Sequence, residues 1–334
     1  MENTFKILSL KEENRLSLEE KKQYYKQLRE YIKNRKLTNT TKGATTIAPK
    51  LKKITNVIAR KLTDVLAGGK VEYLSDGQEN IPDGPVIFVH THQGLLDNFS
   101  WIPATPKHTI ILHSAVVKKF LVLCQLNTGL ILVKKEDKEN RNNAKLDMLS
   151  LLANDNSISY FPESAWNLSP NKLHLPLNFG FIDIAKKAGV PIIPVVDEYS
   201  YDTTTEKEKI TKIHIRFGKP IYVNENDDLL EKLHEYEEAI STIRWELMEE
   251  KGIFERSTVS NKDYINYLKG NIKNLKLGGI DINIERKNIW DSDKEDYVFN
   301  HINDIPFDEY GNLLETSEVQ KLKILNFKNK IWIS

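Results

Sequence analysis

Between Pro49 and Gly252 the chain alternates short apolar runs with longer segments of helical period, and this alternation is what most constrains its fold. The runs are V-I-F-V-H at 86–90, H-T-I-I-L-H at 108–113, G-L-I-L-V at 129–133, S-I-S-Y-F at 157–161, V-P-I-I-P-V-V at 190–196 and I-H-I-R-F at 213–217. Runs of this length and character read as buried strands. Helical segments lie between them near Val116 to Leu126, Arg141 to Leu152 and Phe179 to Ala188. An amphipathic helix is expected ahead of them over Leu51 to Leu66, with apolar positions at Ile54, Val57, Ile58, Leu62, Val65 and Leu66. A long helix is expected behind them over Leu229 to Glu250. Such alternation predicts an α/β fold, with a mostly parallel central sheet flanked by helices.

Three zones follow, with no internal repeat. Residues 1–48 read as a helical N-terminal extension and linker. The charged run Leu16 to Leu37 places Tyr24, Leu28, Tyr31 and Ile32 at helical steps, and the polar stretch T-N-T-T-K-G-A-T-T closes the zone as a loop. Residues 49–252 form the α/β domain. Residues 253–334, rich in Lys, Asn and Asp, form a C-terminal extension to which the sequence assigns no role.

Composition narrows the partners. The 48 Lys and Arg balance 47 Asp and Glu, so there is no basic field for nucleic acid. Cys124 is the single cysteine; it cannot form an internal disulfide and sits in the apolar run F-L-V-L-C-Q-L as a small hydrophobe. The N-terminus lacks the apolar core of a signal peptide, and no apolar run approaches the length of a membrane span. A cytoplasmic protein is expected. The stretch Val116 to Leu126, beside Lys118 and Lys119, has the character to lie on a bilayer, although its period favours a core helix.

The chemistry-bearing feature is T-H-Q-G-L-L-D, Thr91 to Asp97. It puts His92 just past a predicted buried strand, where open α/β sheets bind ligands. An imidazole there can take a proton near neutral pH, and Asp97 can fix its tautomer. Gly94 leaves room for close approach of a substrate or backbone. A His and an Asp five residues apart also occur by chance, as a structural histidine beside a helix-start carboxylate. His90 and His92 lie two apart on one strand, a spacing that could also serve a metal-dependent hydrolase. No Asp-His pair follows to complete a metal set, and His108, His113, His174 and His214 are scattered. No metal site and no cofactor is therefore predicted.

Order lifts the motif above chance. After Thr91 to Asp97 come G-L-I-L-V-K-K (Gly129 to Lys135), F-P-E-S-A-W (Phe161 to Trp166), V-P-I-I-P-V (Val190 to Val195) and G-K-P-I (Gly218 to Ile221). In this order, over about Ile81 to Glu250, the chain resembles the glycerolipid acyltransferases typified by 1-acylglycerol-3-phosphate acyltransferase. That family carries N-H-x-S-x-x-D, a glycine-led strand ending in arginine, F-P-E-G-T-R and V-P-I-x-P-V. The resemblance implies a glycerol-3-phosphate acyltransferase-like fold and an enzyme that moves a fatty acyl group from acyl-CoA or acyl carrier protein to a hydroxyl. The thioester is a co-substrate and no cofactor is implied. His92 would be the general base and Asp97 its orienting partner. Gly129, Lys135, Phe161, Pro162, Glu163, Ser164 and Trp166 would line or order the acceptor site. The implied acceptor is a lysophospholipid, a glycerol phosphate or a glycolipid, with peripheral contact at the inner face of the membrane. The third motif departs from the pattern: Ser164, Ala165 and Trp166 stand where the family has glycine, threonine and arginine, and Lys135 stands for another arginine. An indole cannot grip a phosphate as a guanidinium does, which points to a larger or different acceptor. The same departure leaves a non-catalytic lipid- or partner-binding protein on this scaffold as an alternative.

Overall fold

The computed structural model describes residues 5–43, 49–114, 126, 128–134, 136–164, 166–167, 173–175, 177–202 and 209–251. The expected C-terminal extension and the helix over 116–126 lie outside the described residues, apart from Leu126.

Eight strands form one sheet in the order β1-β5-β4-β6-β3-β7-β8-β2. The strands are β1 (Thr41–Lys42), β2 (Glu72–Asp76), β3 (Ile87–His90), β4 (Thr109–Ser114), β5 (Leu130–Val133), β6 (Ser157–Tyr160), β7 (Ile192–Asp202) and β8 (Lys209–Phe217). Pairing is parallel from β5 through β4, β6 and β3 to β7, and between β8 and β2. It is antiparallel at β1–β5 and β7–β8. The fold is α/β, with a mostly parallel sheet flanked by helices.

The inner strands are apolar on both faces because both faces are covered. Ile87, Val89, Ile110, Ile131, Ile158, Ile192 and Val196 enter one core. Their neighbours Phe88, Ile111, Leu130, Ile193 and Val195 enter the other. Period-two alternation sorts them. The first core lies under α2 (Leu18–Lys33), α4 (Lys138–Ala153), α5 (Gly180–Ala188) and α6 (Leu229–Lys251). The second lies under α3 (Pro49–Leu66).

The N-terminal segment is locked into the first core. Ser17 and Glu20 form a capping box that starts α2, which buries Tyr24, Tyr25, Leu28 and Ile32. Glu13, on the short α1 (Leu10–Glu13), pairs with the buried Lys187, which also meets Asp183 at 2.5 Å. The polar stretch expected to be a loop is pinned instead. Asp147 on α4 accepts from Arg35 at 2.7 Å, from the Thr38 backbone N–H and from the hydroxyls of Thr38, Thr40 and Thr41, at 2.6–3.1 Å. That anchor lets Thr41 and Lys42 pair with β5.

Two other differences matter for the site. The strand expected to stop at Val196 runs on to Asp202 through D-E-Y-S-Y-D, because β8 pairs with it residue by residue. And α3 turns its apolar stripe outward: Ile54, Val57, Ile58 and Val65 are exposed, while Thr55, Ala59 and Thr63 are buried.

Candidate active site

Strand β3 is central, with β6 and β7 on either side. It ends at His90, and the chain then leaves the sheet through Thr91, His92 and Gln93 into a 3-10 turn, Leu95–Asn98. The turn swings Asp97 back toward the strand end. Its Oδ2 lies 3.0 Å from His92 Nδ1 and accepts the backbone N–H groups of Gln93 and of Gly94, the latter at 2.8 Å. Its Oδ1 accepts the Tyr199 hydroxyl. Four groups thus fix one carboxylate, which is sealed from solvent, while the His92 side chain keeps 14% of its surface open. With Nδ1 engaged, His92 Nε2 has no partner among the described residues. A Cβ added at Gly94 would meet open space.

Glu163 holds the same loop from the other side. It is buried, and its two oxygens accept the backbone N–H of His92 at 2.7 Å and of Leu175 at 2.8 Å. Burial pushes its carboxyl up, against the opposing pull of those N–H groups and of the nearby His174 and Arg244. Glu163 is therefore a clasp on the backbone that carries the imidazole. The loop is closed further by the Asn167 N–H donating to the His92 carbonyl at 2.6 Å.

Aromatic rings form the wall. Phe161 packs on His92 with ring centroids 4.7 Å apart and on His90 at 5.0 Å. Trp166 is buried, with its ring at 78° to that of His92 and 6.2 Å away. Pro162 is buried, and its carbonyl accepts both N–H donors of Asn178, backbone and side chain, at 3.2 and 2.6 Å. Ser164 is exposed with φ 56, and its Oγ accepts Asn178 Nδ2 at 3.2 Å. That left-handed backbone is one a glycine adopts freely, which accounts in physical terms for a glycine at this point of the motif it resembles.

Not all expected residues meet. Following the register through β4 and β6, Gly129 is level with Ile87, at the opposite end of the strands from His92. Its φ of 84 and position ahead of β5 make it a strand-entry residue, so the structure does not bring it to the site. The other end of that motif points the right way: Lys134, exposed, is level with His92. β5 stands three strand spacings from β3, about 14 Å. Lys135 lies outside the described residues. His90 does not share a site with His92. It is buried between Trp101 and Phe161, neither ring nitrogen has a hydrogen bond among the described residues, and burial followed by the charge of His92 lowers it to about 3. Among the described residues no three His, Cys, Asp or Glu gather as a metal set.

Sequence reasoning missed the second layer, supplied by the polar tail of β7 and by α6. Asp197 is buried and held well above the usual carboxylate range, first by burial and then by the charge of Asp97; it accepts from Ser100. Gln93 donates to the Asp197 carbonyl, and its Oε1 accepts the fully buried Arg244 at 2.6 Å. Arg244 also donates to the Leu173 carbonyl and faces Glu198, which Lys251 neutralises at 2.9 Å. The available signal was D-E-Y, acidic residues continuing a buried strand without a turn residue.

Comparison with known proteins gives a family match over part of the chain. Residues 73–197 match the acyltransferase family, and the chain carries an acyltransferase domain there. That segment holds the His92–Asp97 turn, Glu163 and the first half of β7. No curated protein matches the chain. A similar solved structure is the 1-acyl-sn-glycerophosphate (LPA) acyltransferase PlsC from Thermotoga maritima, 19% identical, covering 61% of this chain and 80% of that one with a TM-score of 0.44. None of the described helices is long and apolar enough to cross a membrane.

Proposed function

We propose that this acyltransferase domain uses His92 as a general base to move a fatty acyl group from a thioester, acyl-CoA or acyl carrier protein, onto a hydroxyl of a lipid acceptor. The observation that carries the reading is the His92–Asp97 geometry. Asp97 engages Nδ1 at 3.0 Å, and Nε2 is left for a substrate. His92 Nε2 takes the hydroxyl proton as the acceptor oxygen bonds to the thioester carbonyl carbon. The tetrahedral adduct then collapses, the C–S bond breaks, and the imidazolium returns the proton to the leaving thiolate. Asp97 holds the tautomer and offsets the imidazolium charge. No side chain is acylated. Glu163, with both oxygens committed to backbone N–H groups, positions the loop rather than the substrate.

The acceptor is larger than, or different from, a simple glycerol phosphate: a lysophospholipid other than lysophosphatidic acid, a glycolipid headgroup or a sugar intermediate. Trp166 supports this, because it sets a buried aromatic edge beside His92 where the resembled motif has a guanidinium. The enzyme works in the cytoplasm at the inner face of the membrane; the lone Cys124 suits a reducing compartment.

His92→Ala should lower acceptor-dependent thioester cleavage about 10²- to 10⁴-fold with the fold intact. A variant that keeps most of its activity would refute the general base. A panel of hydroxyl acceptors, read by mass spectrometry, tests the acceptor class. A clear preference for lysophosphatidic acid would overturn the inference from Trp166.

A further inference from the structure

Helix α6 carries a charge where its own pattern calls for an aliphatic side chain. Leu233, Tyr236, Ile240, Ile243 and Leu247 recur at three- and four-residue steps and pack the helix into the first core. Arg244 falls on that stripe and is fully buried. A guanidinium there gives up its hydration, a cost that is offset only where several acceptors meet it. Arg244 also lies beyond residues 73–197, the segment that matches the acyltransferase family.

What Arg244 meets is the loop that carries His92. Its Nη2 donates to Gln93 Oε1 at 2.6 Å, and its Nη1 donates to the Leu173 carbonyl. Both contacts lead back to His92. Gln93 is the next residue, and its amide is held at the other end too, with Nε2 donating to the Asp197 carbonyl. Residues 173–175 form a strap on the far side. Glu163 accepts the Leu175 N–H with one oxygen and the His92 N–H with the other. Arg244, residues 173–175, Glu163, His92 and Gln93 thus close a ring, through hydrogen bonds and chain, around the imidazole's backbone.

Neutralising an acid does not account for this placement. Glu198 faces Arg244 Nε at 3.4 Å, and Lys251 already meets the same carboxylate at 2.9 Å. A lysine at 244 would supply the same charge. The Gln93 and Leu173 oxygens are instead served by two nitrogens of one planar fork, which a lysine ammonium does not reproduce.

We propose that Arg244 is a positioning residue for acyl transfer: it ties Gln93 to residues 173–175 and so fixes the backbone that aims His92 Nε2 at the acceptor hydroxyl. The proposal rests on the reading of His92 as the general base. Arg244 acts through His92 and not on the substrate. A reacting group misplaced by about 1 Å costs about 10²-fold in rate, which sets the scale of the effect.

The test is steady-state kinetics of the full chain, with acyl-CoA as donor and the acceptor that turns over best, together with amide hydrogen exchange over residues 91–97. Arg244→Lys keeps the charge and loses the fork. Gln93→Met keeps the volume and loses the acceptor oxygen, leaving Arg244 beside Glu198. Each should lower kcat about ten- to a hundredfold, with KM for both substrates and the thermal melt close to the parent's. The double variant should be no slower than the slower single one, because both cut the same link. Exchange of the 91–97 amides should quicken at least about tenfold in each. In a His92→Ala background, Arg244→Lys should take nothing further from the residual rate. The proposal fails if Arg244→Lys keeps the parent's kcat, or if the two losses multiply in the double variant. It fails equally if Arg244→Lys slows His92→Ala by the factor it costs the parent, which would put Arg244 on the substrate or in the fold. Exchange needs no turnover, so it separates the two readings. Unchanged exchange in both variants would sink the tie. Quickened exchange beside a fully active His92→Ala would sink the general base, and the catalytic role with it, while the tie stood.

Discussion

The clasp around Asp147 and the shell behind His92 both bury aspartates, and they treat them in opposite ways. Asp147 is surrounded by donors: one guanidinium, three hydroxyls and a backbone N–H. Burial alone would raise it, but Arg35 and the threonines outweigh burial and hold it below its ordinary range. Asp197 has one side-chain donor, Ser100, and an ionised neighbour in Asp97; burial and that neighbour drive it well above its range. The first arrangement stabilises a fold. The second puts a second acid behind the carboxylate that orients His92, which costs stability and makes sense only where charge is put to use. The difference separates scaffold from machinery within one sheet.

The sharpest way to break that comparison is to remove one carboxylate charge from each region. Asp97→Asn should lower kcat/KM about 10²- to 10⁴-fold, because the imidazole loses its tautomer lock and counter-charge. Its stability in denaturant should barely fall, since the amide still accepts backbone N–H bonds and Asp197 is relieved of a like charge. A large loss of stability with activity retained would move Asp97 into the scaffold. Asp147→Ala should do the reverse: lose about 3 kcal/mol in urea unfolding, with kcat/KM per folded molecule unchanged. Its pH dependence has a definite sign. A carboxyl depressed in the folded state contributes stability above its unfolded value, near 3.9, and loses it as pH falls through the folded one. The gap between parent and variant should therefore close below about pH 4. A gap that held constant into acid would mean that packing, not charge, anchors the N-terminal arm.

The scaffold was the more legible region. Apolar runs at 86–90, 157–161 and 190–196 announced the central strands because burial on both faces leaves a continuous hydrophobic signal. Edge strand β2, E-Y-L-S-D, gave no such signal, since it pairs only with β8. His92 and Asp97 were readable because five residues and one turn bring them together. Tyr199 and Arg244 were not, since they reach the same loop from 102 and 151 residues away. The stripe on α3 was seen, but its direction was not: periodicity reports that a helix has two faces, not which one meets the sheet.

A smaller effect tests whether the shell serves His92 through Asp97. Tyr199 reaches Asp97 from β7, and burial together with the charges of Asp97 and Asp197 holds its phenol protonated well above the usual tyrosine range. It therefore stays a donor at any pH at which the enzyme works. Tyr199→Phe keeps the ring and removes that donor alone, leaving Asp97 Oδ1 buried without a partner. The loosened carboxylate should lower kcat on the order of tenfold, equivalent to about 1.4 kcal/mol, with KM for the acceptor unchanged. A residue that merely packs β7 against the core would lower stability and leave kcat alone. If kcat holds while the melting temperature falls, Tyr199 belongs with the clasp around Asp147, and the boundary between scaffold and machinery runs between Asp97 and β7.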